Sequence, residues 1–225
     1  HYLRGIETII ELGPGSQDSI QNKTIPFLSV ASDVKRYIAI DSAVDQAKEA
    51  ASLIQSDLNI QSHAIEQDFF YRPVAKKFSG GTAIVMWGSS LGNIEGHANT
   101  SPFTKLAYTL GALAYHLEAG DKMFLCFDME NNEKKVTSAY REIALRSQIL
   151  SVLHRLKRDT AITGNFDPRV WVHEPVWFSD SMQCAHTIFP MFDQTMNIGG
   201  HMIVIPAWRR FISNNSYKFR PDVMI

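Results

Sequence analysis

"IIELGPGSQDS", from Ile9 to Ser19, joins an apolar run to an acid and then to glycine, proline and glycine. It reads as a buried strand that ends in a turn with two positions bare of side chains. Without a Cβ, the backbone at Gly13 and Gly15 can come close to a bound molecule. The stretch therefore predicts an α/β fold with a ligand at the carboxyl end of its first strand.

The neighbouring segments extend this frame. "KRYIAID" (35–41), "IQSHAIEQD" (60–68), "GTAIVMWGSS" (81–90) and the near-continuously apolar "KMFLCFDM" (122–129) read as further strands. The alanine-rich stretch 42–59 predicts a helix with Ser42 as its cap. Leu106, Leu110, Leu113 and Leu117 repeat at helical spacing between Ser101–Pro102, a cap and first turn, and Gly120, a stop. One long helix is expected over 134–156. After residue 170 the chain becomes aromatic and β-branched: "RVWVHEPVWFSD", "CAHTIFPMFDQ" and "HMIVIPAWRRF" predict antiparallel strands joined by turns. The expected architecture is a mostly parallel sheet finished by antiparallel strands.

Composition excludes several classes. The chain has 225 residues with a net charge of −1, so no bulk attraction to nucleic acid is expected. No apolar run is long enough for a bilayer, so no membrane partner is expected. Cys126 and Cys184 lie in apolar runs and read as buried free thiols. Together these point to a cytoplasmic protein. The chain opens at His1, a few residues before its first strand, and a preceding segment is expected.

In a doubly wound sheet, ligands sit beyond the carboxyl ends of the strands. Gly13 to Ser16, Asp41, Asp68, Gly88 to Asn93 and Asp128 all fall at such ends. A dinucleotide site would place a third glycine where Asp18 stands, and a P-loop would need a lysine after the turn. Glu11, directly before the turn, disfavours a pyrophosphate and suits a cation. Asp41 is placed to accept the hydroxyls of a ribose. Asp68 suits an adenine amino group and Phe69 its ring. A cationic adenosine ligand without phosphates is S-adenosylmethionine.

"IIELGPGS", "YIAIDSA", "EQDFF", "MWGSSLGNIEG", "GDKMFLCFDM" and "NNSYKF" together resemble the histidine-specific Nα-methyltransferase family, which includes the ergothioneine-biosynthesis enzyme and fungal relatives acting on prenylated tryptophan. The resemblance spans roughly Thr8 to Phe219. It implies a Rossmann-like cofactor core over 1–170, with strands over 171–225 completing the sheet and contributing to a substrate subdomain. It places Glu11, Gly13, Gly15 and Ser16 at the methionine end of S-adenosylmethionine, Asp41 on the ribose, and Asp68 with Phe69 on the adenine. Gly88, Ser89 and Asn93 would border the transfer site, and Trp177, Asn214 and Ser216 would meet the substrate.

The departures concern the substrate. A glutamate that accepts from the imidazole in the family's histidine enzymes is Asn214 here, and a tyrosine after "HEP" is Trp177. The asparagine that holds the substrate's amino-acid end has no clear match, Arg146 and Gln148 being the nearest offers. The family's N-terminal substrate-binding helices are absent from these 225 residues. The expected activity is N-methylation of an amino acid or small amine, with histidine disfavoured. A member that binds the cofactor without turnover is the alternative, and a nucleotide-dependent oxidoreductase is a distant third because of the missing glycine. No residue announces itself as a catalytic base. His173 and His186 stand too far apart in sequence for a usual metal pair, and no Cys-x-x-Cys occurs, so no metal is expected.

Overall fold

A computed structural model describes residues 2–70, 80–88, 90–93, 102–115, 117–159 and 161–220. The chain forms two compact units, His1–Phe127 and Asp128–Ile225.

The first unit starts with β1 (Ile6–Leu12), followed by α1 (Gln17–Ser19), a π-helical turn (Ile20–Thr24) and α2 (Ile25–Ser29). Next come β2 (Arg36–Asp41), α3 (Val44–Leu58), β3 (Gln61–Glu66) and β4 (Gly81–Met86). A 3₁₀ turn (Ser90–Asn93), α4 (Pro102–Ala114) and β5 (Lys122–Leu125) complete it. The strands are parallel, in the order β3-β2-β1-β4-β5. The chain thus winds outward from β1 through β2 to β3, then returns to β1's other side as β4. That reversal is the topological switch point, where such sheets open a crevice beyond the strands' carboxyl ends.

Packing explains the helices. α3 buries Ala47, Ala50, Ala51 and Ile54, spaced three and four apart on one face. Three of these are alanines, which let the helix approach Ile9, Tyr37 and Ala39 of the sheet closely. Its cap differs from expectation. Ala43 occupies the N-cap with no capping side chain, and Asp41 Oδ1 accepts the Ala43 N–H at 2.8 Å. α4 ends at Ala114, six residues before Gly120. Gly111 weakens its last turn. Ser101 lies outside the described residues. β5 is an edge strand of this sheet, and Cys126, just past it, is exposed, whereas Cys184 is buried as expected.

The second unit holds α5 (Glu133–Tyr140), α6 (Ile143–Asp159), β6 (Thr163–Gly164), a 3₁₀ turn (Pro168–Val170), β7 (Trp171–Phe178), β8 (Gln183–Pro190), β9 (Gln194–Ile198), β10 (His201–Ile205) and β11 (Phe211–Tyr217). The expected single helix is broken at Arg141–Glu142. At the break the Arg141 N–H is shared between the Thr137 and Ser138 carbonyls, each at 3.1 Å, as at a helix end. The antiparallel strands are present, and they form two three-stranded sheets of their own, β10-β9-β6 and β11-β8-β7. Among the described residues none of them pairs with the parallel sheet. α6 covers a core of Leu153, Phe166, Trp171, Ile188 and Met196.

Candidate functional site

A cleft of about 270 Å³ lies at the switch point of the first unit. Gly13 and Gly15 after β1, Asp41 after β2, Asp68 and Phe69 after β3, and Asn93 after β4 all line it. Four separate strand ends therefore deliver six of the residues expected from the sequence to one place.

The turn at its base needs glycine. Gly13 has φ +65° and Gly15 φ +75°, in the left-handed region that side chains avoid. The Gly13 N–H donates to the Ile40 carbonyl at 2.9 Å, which ties the turn to β2. A Cβ on Gly13 would stand 3.5 Å from the Phe69 ring and 3.6 Å from Ser90 Oγ. It would thus project into the space that Phe69 and Ser90 border.

The two acids share one geometry. Asp41 Oδ1 accepts the N–H of Ala43, and Asp68 Oδ1 accepts the N–H of Phe70 at 3.0 Å. Each carboxylate is fixed by the backbone two residues downstream. Each keeps its second oxygen without a partner among the described residues. A carboxylate so held is an oriented acceptor for a ribose diol or an amino group. Phe69 and Phe70 stand beside it with ring centroids 4.6 Å apart, giving an aromatic wall. These features fit an adenosine.

Glu11 sits differently. It is fully buried and accepts from Tyr37 Oη at 2.7 Å and Thr24 Oγ1 at 2.9 Å. Burial pushes its carboxyl up to about 7, against the two hydroxyl donors and the nearby Lys23 ammonium, which favour the anion. It is a buried carboxyl two residues ahead of Gly13, outside the cleft lining. Ser16 leads into α1 without a side-chain cap and is exposed. Gly88 takes φ +72°, and Ser89 lies outside the described residues.

Ser90, inside the stretch Gly88 to Asn93 expected at a strand end, also lines the cleft, and so do Ser42, Gln46 and Phe70, which sequence reasoning missed. Phe70 had a readable signal, as the second ring of a Phe-Phe pair after the third strand. Ser42 and Gln46 had none, because their approach depends on how α3 starts.

The remaining expected residues belong to the second unit. Trp177 lies on β7, opposite Cys184 of β8. Asn214 and Ser216 lie on β11, opposite His186 and Cys184. Asn214 Oδ1 accepts the Asn215 N–H, so its amide nitrogen is its remaining donor. Ser216 is 1% exposed and shares a 2.6 Å hydrogen bond with Tyr140 Oη. Lys218 Nζ, equally buried, donates to Tyr140 Oη at 2.8 Å and to Asp128 Oδ2 at 2.6 Å. His173 and His186 pair across the hairpin, Nε2 to Nδ1 at 3.1 Å, despite their separation in sequence. On the antiparallel β7–β8 pair His173 stands opposite Ile188 and His186 opposite Pro175, so the two rings meet on the diagonal. Burial lowers both, His186 to about 4, and among the described residues no third ligand joins them for a metal. No helix among the described residues is long and apolar enough to cross a membrane.

Comparison with known proteins gives three findings. A 217-residue match, 25% identical, covers 94% of this chain and 70% of "Uncharacterized protein y4iF" of Sinorhizobium fredii (strain NBRC 101917 / NGR234). Among solved structures, the PRMT1 enzyme–prozyme heterotetrameric complex of Trypanosoma brucei with AdoHcy aligns at 13% identity and TM-score 0.34, over 97% of this chain and 75% of that one. Protein arginine methyltransferase 10 of Arabidopsis thaliana aligns over the same shares at 10% identity and TM-score 0.34. The model of the histidine-specific, SAM-dependent methyltransferases matches residues 2–225, so the chain belongs to that family and is a methyltransferase that uses S-adenosylmethionine.

Proposed function

We propose that the methyl group goes to the nitrogen of an amino acid or small amine, and that histidine is a poor acceptor. The observation that carries the cofactor's placement is the convergence of Gly13, Asp41, Asp68 and Phe69 on one cleft. In this reading Asp41 holds the ribose, Asp68 and Phe69 hold the adenine, and the turn from Gly13 to Ser16 meets the methionine end. Gly88, Ser89 and Asn93 border the transfer site. When bound, S-adenosylmethionine supplies an electrophilic methyl on a sulfonium.

The chain's own part is to align an amine lone pair with that methyl, since positioning supplies much of the acceleration of such a displacement. An α-amino group carries a proton below about pH 8, so the acceptor must shed it first. Glu11 lies beneath the turn, held by the Tyr37 and Thr24 hydroxyls, and with its carboxyl raised to about 7 a positive ligand over the turn would favour its ionised form. Trp177 and Asn214 are the proposed acceptor contacts. Ser216, sealed against Tyr140 and Lys218, contributes by holding β11 in place.

Asn214 underlies the view of histidine. A carboxylate there would accept from an imidazole N–H and favour its cation, whereas the asparagine is neutral and one lone pair of its oxygen already takes the Asn215 N–H. Trp177 adds a flat apolar wall where the family's tyrosine carries a hydroxyl. A cytoplasmic location belongs to the same proposal, supported by two thiols outside any disulfide.

The test offers methyl-labelled cofactor with a panel of amino acids and amines that includes histidine and tryptophan. Transfer to an aromatic or apolar amine, with kcat/KM for histidine lower by up to ~100-fold, is the expected result. Efficient methylation of histidine would refute the specificity. Tight S-adenosylhomocysteine binding without transfer to any amine would replace the proposal with a cofactor-binding member that does not turn over.

A further inference from the structure

An acid is sealed beneath the cofactor turn. Glu11 has no exposed surface and sits on β1 between Ala39 of β2 and Val85 of β4. It shares a face of the strand with Ile9, and Gly13 follows two residues on. Each of its oxygens takes one hydroxyl, Oε1 from Thr24 at 2.9 Å and Oε2 from Tyr37 at 2.7 Å. Both donors are neutral. The π-helical turn that presents Thr24 also carries Lys23, which is exposed, and among the described residues no cation hydrogen-bonds the carboxyl. Of the other elements packed on this face, β2 adds the cleft acid Asp41, while β4, α3 and α2 bring Ala83, Val85, Ala47 and Leu28, none of which titrates. The hydroxyls thus satisfy the oxygens of Glu11 and leave its charge uncompensated.

The reaction changes one charge on the cofactor. The C–S bonding pair stays on sulfur as the methyl leaves, so a sulfonium becomes a neutral thioether. The ammonium and carboxylate of the methionine part are the same before and after.

We infer that Glu11 discriminates S-adenosylmethionine from S-adenosylhomocysteine, being ionised while a sulfonium lies over the turn and protonated once the thioether has replaced it. The inference rests on the proposed placement of the methionine end at Gly13 to Ser16. It works through space, across the turn, and needs no contact with the ligand. Two strand residues span roughly 7 Å, and a unit charge is still felt at that range where water is excluded. Burial raises the carboxyl from 4.5 to about 7, so its charge state changes near neutrality. A sulfonium lowers it again, and the proton goes to solvent on binding. One proton returns from solvent when the methyl has left. Preference for the cationic ligand therefore grows as pH rises through 7 and vanishes where Glu11 is protonated with either ligand bound. The effect biases exchange toward fresh cofactor after each transfer.

Titration calorimetry of the full chain tests this with S-adenosylmethionine, S-adenosylhomocysteine and sinefungin, an analogue with a primary ammonium in place of the S-methyl group. Repeating each titration in buffers of different ionisation enthalpy counts the protons released. At about pH 7 the two cationic ligands should release roughly 0.4 proton more than the thioether. From about pH 5.5 to about pH 8, the ratio of Kd for the thioether to Kd for either cation should rise about fivefold more in wild type than in Glu11→Gln. The variant cancels the ligands' own titrations. Tyr37→Phe keeps the acid and removes a hydroxyl that favours its anion, so it should move the midpoint of the rise to higher pH. Equal proton counts for cation and thioether, in a wild type that binds both, overturn the role of Glu11 and leave the cofactor in its cleft. A rise in Glu11→Gln equal to that of wild type does the same. The placement is read separately from Asp41→Ala, which should weaken all three ligands alike. If it weakens none of them, the placement falls and the inference with it.

Discussion

The cofactor cleft and the second unit's polar network are built by different means. In the cleft, backbone does most of the work: two glycines in left-handed conformations, two carboxylates fixed by N–H groups two residues on, and strand ends aligned by a parallel sheet. In the second unit, side chains do it. Asp128, Lys218, Tyr140 and Ser216 link residues 76 to 90 positions apart through their own polar atoms. A site set by backbone tolerates little at its turns and much at its surface. A site set by side chains fails when one link is removed.

The largest effect is expected at the turn. Gly13→Val puts a branched side chain at φ +65° and against the Phe69 ring. Strain of about 1–3 kcal/mol adds to the occupied space, so S-adenosylhomocysteine affinity should fall more than ~100-fold. Calorimetric titration checks this, with circular dichroism to show the fold retained. Affinity near wild type would make the turn merely structural.

Glu11→Gln probes the charge beneath the turn. The native carboxyl is raised to about 7 from 4.5 by burial, so the folded state holds a proton that the unfolded state has lost. Its stabilising contribution is complete below pH 4.5 and disappears as pH rises to about 7. Above that, the buried anion costs up to roughly 3 kcal/mol. The glutamine variant should therefore gain on wild type as pH rises from 5 to 8, as read from denaturation midpoints. Parallel pH profiles would mean that Glu11 is more hydrated than its burial implies.

Lys218→Met tests the side-chain network. Removing the ammonium takes one donor from Asp128 and one from Tyr140, but Tyr140 keeps Ser216, Asp128 keeps the Glu130 N–H, and the Asp128 side chain is 39% exposed and can rehydrate. The loss should be about 1–3 kcal/mol, below that for a fully buried pair. Lys218 holds the Asp128 carboxyl below its ordinary range. The pair's contribution is therefore present above pH 3.8 and lost as pH falls through the lowered native value. The variant should show a flatter acid limb, and an unchanged limb would remove Lys218 from the account.

The smallest effect is expected at Ser16. It is exposed and makes no capping bond, so Ser16→Ala should change S-adenosylhomocysteine binding by less than ~0.5 kcal/mol. A larger loss would show that its hydroxyl, and not only its backbone, meets the ligand.

The same contrast explains what the sequence discloses. The succession of strands along the chain, the glycine turn and the acids at Asp41 and Asp68 are legible because each follows from local pattern and from the rule that parallel strands aim their carboxyl ends at one edge. The 3-2-1-4-5 order itself and the place of Glu11 are not, since one depends on pairing across the chain and the other on Tyr37 and Thr24 closing over a strand residue. In the second unit, sequence shows strands but not partners. His173 and His186 read as strangers and are hydrogen-bonded, and the expected long helix is two helices, Glu133–Tyr140 and Ile143–Asp159. Asn214 and Trp177 are singled out by resemblance, and no local pattern marks them.

In the proposed placement S-adenosylmethionine lies in the first unit's cleft with its ribose on Asp41. Calorimetric titration of S-adenosylhomocysteine into wild type and Asp41→Ala tests it most directly. The account predicts a loss of about 1–3 kcal/mol, or roughly 5- to 150-fold in Kd, for a charged hydrogen-bond acceptor removed from a diol. Equal affinity for the two proteins, with the variant's fold intact, would contradict it.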